Sequence, residues 1–285
     1  MAMEDRQDLA REVASVPWYH TIELPGGFVT PGRWDTRHAL KRLPFPSSLA
    51  GKRCLDVGTW DGFWAFEMER RGASEVVAID LDDASQWDWP ALHSQSMTQR
   101  WQARVAKYRA FWVAHRALGS RVQRLEQSVY NLSPESVGRF DFVFMGSILI
   151  HLRDPAGALM AVRRVVKGEL LAADQISLIL TLTRRTPAAD LTAVNDPLWW
   201  TPNRAALVRL VRAAGFEITA AGGPYFLRPG PGARRPSLWQ SLSSRTQLMN
   251  RVGTPHAWVT ARPAGEQPLS RASSSADAVG HPRTS

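Results

Sequence analysis

The feature that most constrains this chain is a regular alternation of short apolar runs and amphipathic segments that begins at Lys52. RCLDVG is an apolar run that ends in a glycine, which is typical of a strand buried in a parallel sheet. WAFEMERRG follows with helical spacing and closes on Gly72. Further strands are predicted at EVVAIDL, RVQRLEQSV, FDFVFMGS and ELLAADQI. Short connections between alternating strands and helices predict an α/β fold with a Rossmann-like, doubly wound sheet.

The two ends of the chain and one internal segment depart from this alternation. FEITAA and HAWVTAR predict an antiparallel C-terminal hairpin, after a helix at PNRAALVRLVRAAG. Residues 1–50, which contain many Pro, Gly and aromatic residues, predict a small N-terminal cap on a main domain of residues 51–262. Residues 83–120 are too long for one crossover and predict a basic helical insertion. Residues 263–285 are rich in Ser, Ala and Pro and predict a disordered tail.

Composition excludes several classes of protein. The 285 residues are 44% hydrophobic and include 12 Trp, so the chain can bury a sizeable core and is not globally disordered. Its single cysteine, Cys54, excludes an internal disulfide and a Cys-based zinc site. No apolar run reaches the roughly 18 residues of a membrane span, and the charged N-terminus is unlike a signal peptide. We therefore expect a cytoplasmic protein with no membrane partner.

The net charge of +9 raises the possibility of an acidic partner. Residues 99–125 contain no acid and seven basic residues: Arg100, Arg104, Lys107, Arg109, Arg116, Arg121 and Arg124. Such a segment is typical of an RNA-binding face or of a solvated helix, and we favour the solvated helix. The aromatic stripe in the same segment is interpreted as packing rather than as a platform for stacked bases.

CLDVGTWDG, residues 54–62, occupies the first strand-to-helix loop, where adenosine-containing cofactors bind in such sheets. Gly58 allows the backbone to approach a ligand closely, and Gly62 allows close packing where the next helix begins. Asp80, at the end of the second strand and 24 positions after Asp56, can accept hydrogen bonds from both ribose hydroxyls. This spacing predicts a bound nucleoside.

The middle of the loop indicates which nucleoside is bound. Trp60 and Asp61 stand in the path of a dinucleotide pyrophosphate, which a carboxylate would repel. Asp56 and Asp61 instead favour a cationic ligand. S-adenosylmethionine carries an ammonium and a sulfonium and lacks phosphate, so the loop predicts this cofactor rather than NAD.

LDVGTWDGFWAFEMERRGASEVVAIDL resembles motif I and the acidic second strand of class I S-adenosylmethionine-dependent methyltransferases, and the resemblance extends over residues 51–221. FDFVFMGSILIH, NDPLWWTPNRAALVRLVRAAGF and WYHTIELPGGFVTPGRWD are similar to the methyltransferase family that includes the tRNA wobble-uridine carboxymethyl transferase. Thr59–Trp60 replaces that family's Cys-Gly pair, and Ile150 replaces its aromatic residue before the histidine. These departures favour plain methyl transfer. The chain is most similar to small-molecule methyltransferases of bacterial specialised metabolism, such as antibiotic biosynthesis.

The resemblance implies a cofactor site at the ends of the first four strands. The glycine loop would line the methionine half, the second and third strands the ribose and adenine, and the fourth strand the sulfonium. One residue of the N-terminal cap would cover the site. The implied cofactor-binding residues are Tyr19, Asp56, Gly58, Gly62, Asp80, Leu81, Ser128, Val129, Met145 and Gly146.

Methyl transfer from a sulfonium requires an aligned nucleophile, exclusion of water and, for some acceptors, a base. His151 follows the fourth strand and is the candidate base; its alternative role is structural, bonded to a loop carbonyl. Trp199 and Trp200 favour a flat or apolar acceptor, or they fill space between loop and sheet. His20 and Arg33, in the cap, are further candidates for contact with the acceptor.

Asp174, Asn195 and Asp196 could assemble a magnesium site, but carboxylates at strand ends have many uses and we expect no metal. The sequence therefore predicts transfer of a methyl group from S-adenosylmethionine to an oxygen or nitrogen of a small-molecule acceptor. One alternative is an RNA-modifying methyl- or carboxymethyltransferase, which the net charge favours. A second alternative is a non-catalytic scaffold that binds S-adenosylmethionine.

Overall fold

The computed structural model describes residues 3–91, 99, 101, 107–191, 198–233, 237 and 251–265. Part of the predicted insertion, at 92–98, 100 and 102–106, lies outside the described residues, as does the predicted tail from residue 266 onward. No helix within the described ranges is both long enough and apolar enough to cross a membrane.

The strands, in chain order, are β1 Glu23–Leu24, β2 Phe28–Val29, β3 Trp34–Asp35, β4 Arg53–Val57, β5 Glu75–Asp80, β6 Gln123–Glu126, β7 Phe140–Gly146, β8 Val166–Gln175, β9 Ala189–Leu191, β10 Trp200–Pro202, β11 Phe216–Pro229 and β12 Thr254–Pro263. The helices are α1 Met3–Ser15, α2 Thr36–Leu40, α3 Phe63–Arg70, α4 Lys107–Leu118, α5 Pro134–Val137, α6 Pro155–Val165, α7 Leu178–Thr183 and α8 Arg204–Ala213.

One large sheet organises the described residues, with eight strands in the order β3-β11-β12-β8-β7-β4-β5-β6. The strands from β8 to β6 pair in parallel, whereas β12, β11 and β3 pair antiparallel to their neighbours. The predicted Rossmann-like doubly wound sheet and its antiparallel C-terminal hairpin are therefore confirmed. The direction of winding changes between β4 and β7, and ligands bind at the carboxyl ends of strands at such a point.

The central strands are apolar on both faces because helices cover each face of the sheet. Leu55 and Val57 of β4 pack into a layer with α6 and α8, and Cys54 packs into the opposite layer with α3 and α4. This burial explains why RCLDV reads as a continuous apolar run instead of alternating with polar residues.

The helices begin and end at recognisable signals. Asn203 caps α8, because its side chain accepts a hydrogen bond from the Ala206 amide at 2.8 Å. Asp154 caps α6 in the same way, accepting from Gly157 N at 2.8 Å, with Pro155 as the first helical residue. These caps set the positions of the two helices that cover one face of the sheet.

The N-terminal segment is joined to the sheet at its edge. Asp35 and Trp34 of β3 pair with Arg228 and Pro229 at the end of β11. On α1, Glu12 accepts hydrogen bonds from the Arg116 guanidinium of α4 at 3.0 Å. The segment therefore lies along the side of the sheet on which the glycine loop begins α3.

Candidate functional site

A cavity of about 590 Å³ lies at the carboxyl ends of β4, β5, β7 and β8. Its floor includes Gly58 after β4, Asp80 at the end of β5 and Gly146 at the end of β7. The N-terminal segment contributes Tyr19 and Arg33 to the wall. The cavity therefore occupies the place at which the sheet topology predicts a ligand.

The glycine loop keeps a left-handed backbone even where its middle glycine is absent. Gly58 has φ +76° and Trp60 has φ +53°. A side chain at Gly58 would place its Cβ 2.8 Å from Ile148 Cδ1, so only glycine lets the loop lie this close to the turn after β7. The indole of Trp60 projects toward Tyr19, with ring centroids 4.7 Å apart. Trp60 thus preserves the loop conformation and adds an aromatic wall.

Hydrogen bonds from two backbone amides orient the carboxylate of Asp80. Oδ2 accepts from Trp60 N and Oδ1 accepts from Leu81 N, both at 2.8 Å. A carboxylate held in this way presents acceptor oxygens of the kind that a pair of ribose hydroxyls requires. The side chain is half-buried at the cavity wall, which suits a pair of ribose hydroxyls.

Asp61 is wholly buried and holds the N-terminal segment against the loop. Its Oδ2 accepts from the Tyr19 and His20 amides at 2.8 Å each, and its Oδ1 bonds to His20 Nδ1. The loop pattern favours a cationic ligand for Asp61, but the tertiary fold brings three N–H donors to its carboxylate instead. Asp61 therefore positions Tyr19 at the cavity wall.

Asp56 is also buried, with its side chain behind the loop rather than on the cavity wall. Burial raises its pKa to about 7, and its Oδ2 has no hydrogen-bond partner among the described residues. A cation in the adjacent cavity would favour the ionised carboxylate, so Asp56 can contribute to cofactor binding through its charge.

The predicted cofactor residues divide into two groups. Those that line the cavity are Tyr19, Gly58, Asp80, Leu81, Ser128, Val129 and Gly146. Those that do not are Asp56, Gly62 and Met145. Side chains alternate along β7, so Phe144 faces the cavity while Met145 packs in the opposite layer. At Gly62 an added Cβ would lie 2.4 Å from Phe66 Cε2, so this glycine serves helix packing.

His151 lines the cavity at the end of a 3-10 turn, Leu149–His151, just beyond β7. Asp174 of β8 holds this turn, because its Oδ2 accepts from Leu149 N and its Oδ1 from Gln175 N, both at 2.7 Å. Burial raises the pKa of Asp174 to about 7. Asp174 therefore supports the loop that presents His151.

Asp174, a candidate magnesium ligand in the sequence, uses both carboxylate oxygens to accept hydrogen bonds from backbone amides. Asn195 and Asp196 lie outside the described residues. Within the part of the chain that the structure describes, no group of three or more His, Cys, Asp or Glu is arranged to hold a metal ion.

Trp199 and Trp200, predicted to form the acceptor wall, do not line the cavity; Leu198 and Thr201 do. The indole of Trp199 turns away and donates to the Asp88 carbonyl oxygen at 2.7 Å. Trp200 begins the strand β10, in which alternation places it on the opposite side from Thr201. His20 and Arg33, the other two predicted acceptor residues, do line the cavity.

The aromatic wall instead comes from the region after β5. The centroid of the Trp60 ring lies 6.2 Å from that of Trp87 and 6.4 Å from that of Trp101. Both tryptophans line the cavity. By contrast, Tyr108 and Trp112 of the predicted aromatic stripe are exposed on α4. Among the described members of the stripe, Trp101 therefore reaches the site and the other two do not.

Sequence reasoning missed three polar residues on the side of the cavity nearest β8 and β12: Ser147, Gln175 and His256. His256 belongs to the last strand and pairs with Gln175 of β8. Because 109 positions separate Ser147 from His256, no periodicity could indicate their contact.

Comparison with known proteins identifies the family of this chain. A model of the methyltransferase domain family matches residues 33–221. The chain belongs to the class I S-adenosylmethionine-dependent methyltransferases. It is 29% identical over 168 residues to the ubiquinone biosynthesis O-methyltransferase of Acinetobacter baylyi. The aligned region covers 57% of this chain and 58% of that protein.

This methyltransferase is also 27% identical over 210 residues to the tRNA U34 carboxymethyltransferase of Ectopseudomonas mendocina, covering 71% of this chain and 56% of that one. It thus spans less than two thirds of either curated relative. Among solved structures, the chain is similar to the 1,6-didemethyltoxoflavin-N1-methyltransferase of Burkholderia thailandensis, with 16% identity and a TM-score of 0.45 over 76% of this chain and 72% of that chain.

The residues of this methyltransferase fit the family's cofactor. The oriented carboxylate of Asp80 suits the ribose, and Gly58 lies on the cavity wall beside it. The buried carboxyl of Asp56, whose Oδ2 has no hydrogen-bond partner among the described residues, suits a cation near the loop. When bound, S-adenosylmethionine supplies a methyl group on a positively charged sulfur.

Asp80→Ala should weaken binding of S-adenosylhomocysteine by about 1–3 kcal/mol, because the ribose hydroxyls lose their acceptors. Isothermal titration calorimetry measures this loss. Glu126→Ala, at the exposed end of the neighbouring strand β6, is the matched control and should leave the affinity unchanged. If the wild-type protein bound NAD as tightly as S-adenosylhomocysteine, the assignment of the cavity would be wrong.

Proposed function

We propose that this protein transfers the methyl group of S-adenosylmethionine to an oxygen or nitrogen of a small-molecule acceptor. The observation that carries the proposal is one continuous cavity, lined at β5 and β6 by the predicted nucleoside residues and at β8 and β12 by a separate set of polar residues. A cofactor and a small acceptor can share such a space, and the aromatic wall favours a flat or apolar acceptor.

The charges on the cavity wall support methyl transfer over carboxymethyl transfer. The described lining residues include the carboxylates Asp80 and Asp88, while Arg33 is their only arginine or lysine and is itself exposed. A carboxymethyl group carries a carboxylate, which would need a buried cation as its partner. The sulfonium and ammonium of S-adenosylmethionine instead match the acidic wall.

In this proposal His151 receives the proton that an acceptor hydroxyl or amine releases. Tyr19 and Trp60 cover the cofactor and exclude water. His20 and Arg33 remain proposed contacts for the acceptor, at the edge formed by the N-terminal segment. An acceptor from specialised metabolism fits these features.

The test is a screen of phenols, alcohols and amines with S-adenosylmethionine, in which release of S-adenosylhomocysteine is measured. Turnover with one chemical class would support the proposal and identify the acceptor atom. Transfer to tRNA, with none to the small acceptors, would replace it with the RNA-modifying function.

The RNA-modifying alternative is favoured by the net charge and by the tRNA-modifying relatives. Against it, several arginines of the basic segment have acidic partners elsewhere in the fold. Arg116 pairs with Glu12 at 3.0 Å, and Arg124, which is almost fully buried, pairs with Asp82 at 2.5 Å. These arginines form ion pairs within the fold. Fewer basic side chains are therefore available to bind RNA phosphates than the sequence indicates.

Replacing Arg100, Arg104 and Lys107 together by glutamine should leave turnover of the small acceptor nearly unchanged. Arg100 and Arg104 lie outside the described residues, and the prediction rests on the solvated-helix interpretation of their segment. RNA binding by the wild type should be weak and lost at moderate salt, because it depends on charge alone. Filter binding across a salt series measures this; salt-resistant, sequence-selective RNA binding would favour the tRNA-modifying function.

A further inference from the structure

Ser147, Gln175 and His256 form a polar group on the cavity wall, away from the nucleoside residues. Strand order separates the two regions, because Asp80 and Ser128 follow β5 and β6 while these three residues belong to the β7, β8 and β12 side of the sheet. Ser147 directly follows Gly146, and its amide donates to the Ala173 carbonyl oxygen at 2.8 Å. The group therefore lies next to the predicted position of the reactive methyl, on the acceptor's side.

The hydrogen bonds of His256 determine which of its ring nitrogens carries the proton. Nδ1 lies 2.9 Å from the Thr254 carbonyl oxygen, which can only accept, so Nδ1 is the donor. The same nitrogen lies 3.4 Å from the hydroxyl of Thr254. Burial lowers the pKa of His256 to about 4, so the ring is neutral at physiological pH. Nε2 of this neutral ring is therefore an acceptor.

The neutral ring in turn sets the orientation of the Ser147 hydroxyl. Ser147 Oγ lies 3.0 Å from His256 Nε2, and the hydroxyl donates its proton to that nitrogen. Ser147 lines the cavity, so the lone pairs that Oγ keeps can accept a hydrogen bond from a ligand there. Ser147 thus offers the cavity an oxygen that can accept a hydrogen bond but cannot donate one.

We propose that Ser147, with its hydroxyl oriented by His256, binds a hydrogen-bond donor of the methyl acceptor and so selects acceptors that carry an O–H or N–H beside the transferred methyl. This inference rests on the proposed function, which supplies the small-molecule acceptor. Ser147 is the contact residue, and His256 is a positioning residue that acts through it. A ligand that presents only a carbonyl or ether oxygen would meet the lone pairs of Ser147 and be disfavoured.

Two variants separate this role from a structural one. Ser147 has φ +53°, a conformation that glycine adopts without strain, so Ser147→Gly removes the hydroxyl without straining the backbone. His256→Phe keeps an aromatic ring beside Tyr225, whose ring centroid lies 5.6 Å from that of His256, but removes the acceptor nitrogen. In this variant the Ser147 hydroxyl is free to donate to a ligand. Thermal melting checks that both variants fold.

The probes are phenol and anisole, which are similar in shape but differ in the O–H donor. Their binding is measured by ligand-observed nuclear magnetic resonance, with and without S-adenosylhomocysteine. Wild type should bind phenol roughly fivefold to tenfold more tightly than anisole. Ser147→Gly should abolish the preference, and His256→Phe should reduce it by raising the affinity for anisole. Ser15→Gly, the same substitution at an exposed serine of α1 outside the cavity, should leave the preference intact.

No preference for phenol in the wild type, whether both ligands bind or neither does, would overturn the proposal. So would an equal preference in wild type and Ser147→Gly. The measurement without S-adenosylhomocysteine keeps this test separate from the proposed function. Failure of S-adenosylhomocysteine to bind would count against methyl transfer, while a phenol preference that depends on Ser147 would still support the recognition role.

Discussion

His151→Ala should lower kcat by roughly 10²–10⁴-fold while the affinity for S-adenosylhomocysteine stays within a few-fold of wild type. His151 lines the cavity on the turn after β7, beside the predicted methyl position, whereas the nucleoside residues follow β5 and β6. Its loss would remove the proton acceptor without disturbing cofactor contacts.

Steady-state kinetics with the acceptor found by screening, combined with calorimetry, measures both quantities. His38→Ala is the matched control, since His38 is exposed on α2 and does not line the cavity; its kcat should equal that of wild type. A His151→Ala protein with full activity across the pH range would remove His151 from the mechanism. Equal losses of melting temperature, binding and turnover would instead identify a structural histidine.

Asp61→Asn should destabilise the protein by about 3 kcal/mol, because a buried carboxylate that accepts from the Tyr19 and His20 amides and bonds to His20 Nδ1 is replaced by a neutral amide, whose N–H₂ fits beside Nδ1 only if the His20 ring changes tautomer. The melting temperature should fall by roughly 6–12 °C. Release of the Tyr19–His20 segment should also uncover Trp60 and weaken S-adenosylhomocysteine binding about tenfold.

The matched control is Asp8→Asn, the same substitution on α1 in the N-terminal segment. Asp8 is exposed, and its ion pair among the described residues is with Arg11 of the same helix, so its loss should cost less than about 0.5 kcal/mol. Calorimetric melting and titration measure the two effects. If Asp61→Asn melted and bound like the Asp8 control, Asp61 would not hold the N-terminal segment in place.

The fold was predictable because strands and helices leave periodic signals. The apolar run at β4 and the capped helix α8 could be identified without the structure, and their alternation implies a doubly wound sheet. The same topology predicts that Gly58 and Asp80 meet at one edge of the sheet. Both line the cavity.

The sequence by itself determined the family and the sheet, and it predicted which residues meet at the proposed nucleoside side of the cavity, because these depend on local periodicity and on one motif with a set spacing. Only the tertiary structure decided the side-chain partners in the loops. It turned Asp61 to the N-terminal amides and the indole of Trp199 to a carbonyl oxygen, and it brought His256 to Ser147. Such contacts join residues 41 to 111 positions apart, and they form only when the sheet edge and its loops are assembled. A local sequence pattern has no means of specifying them.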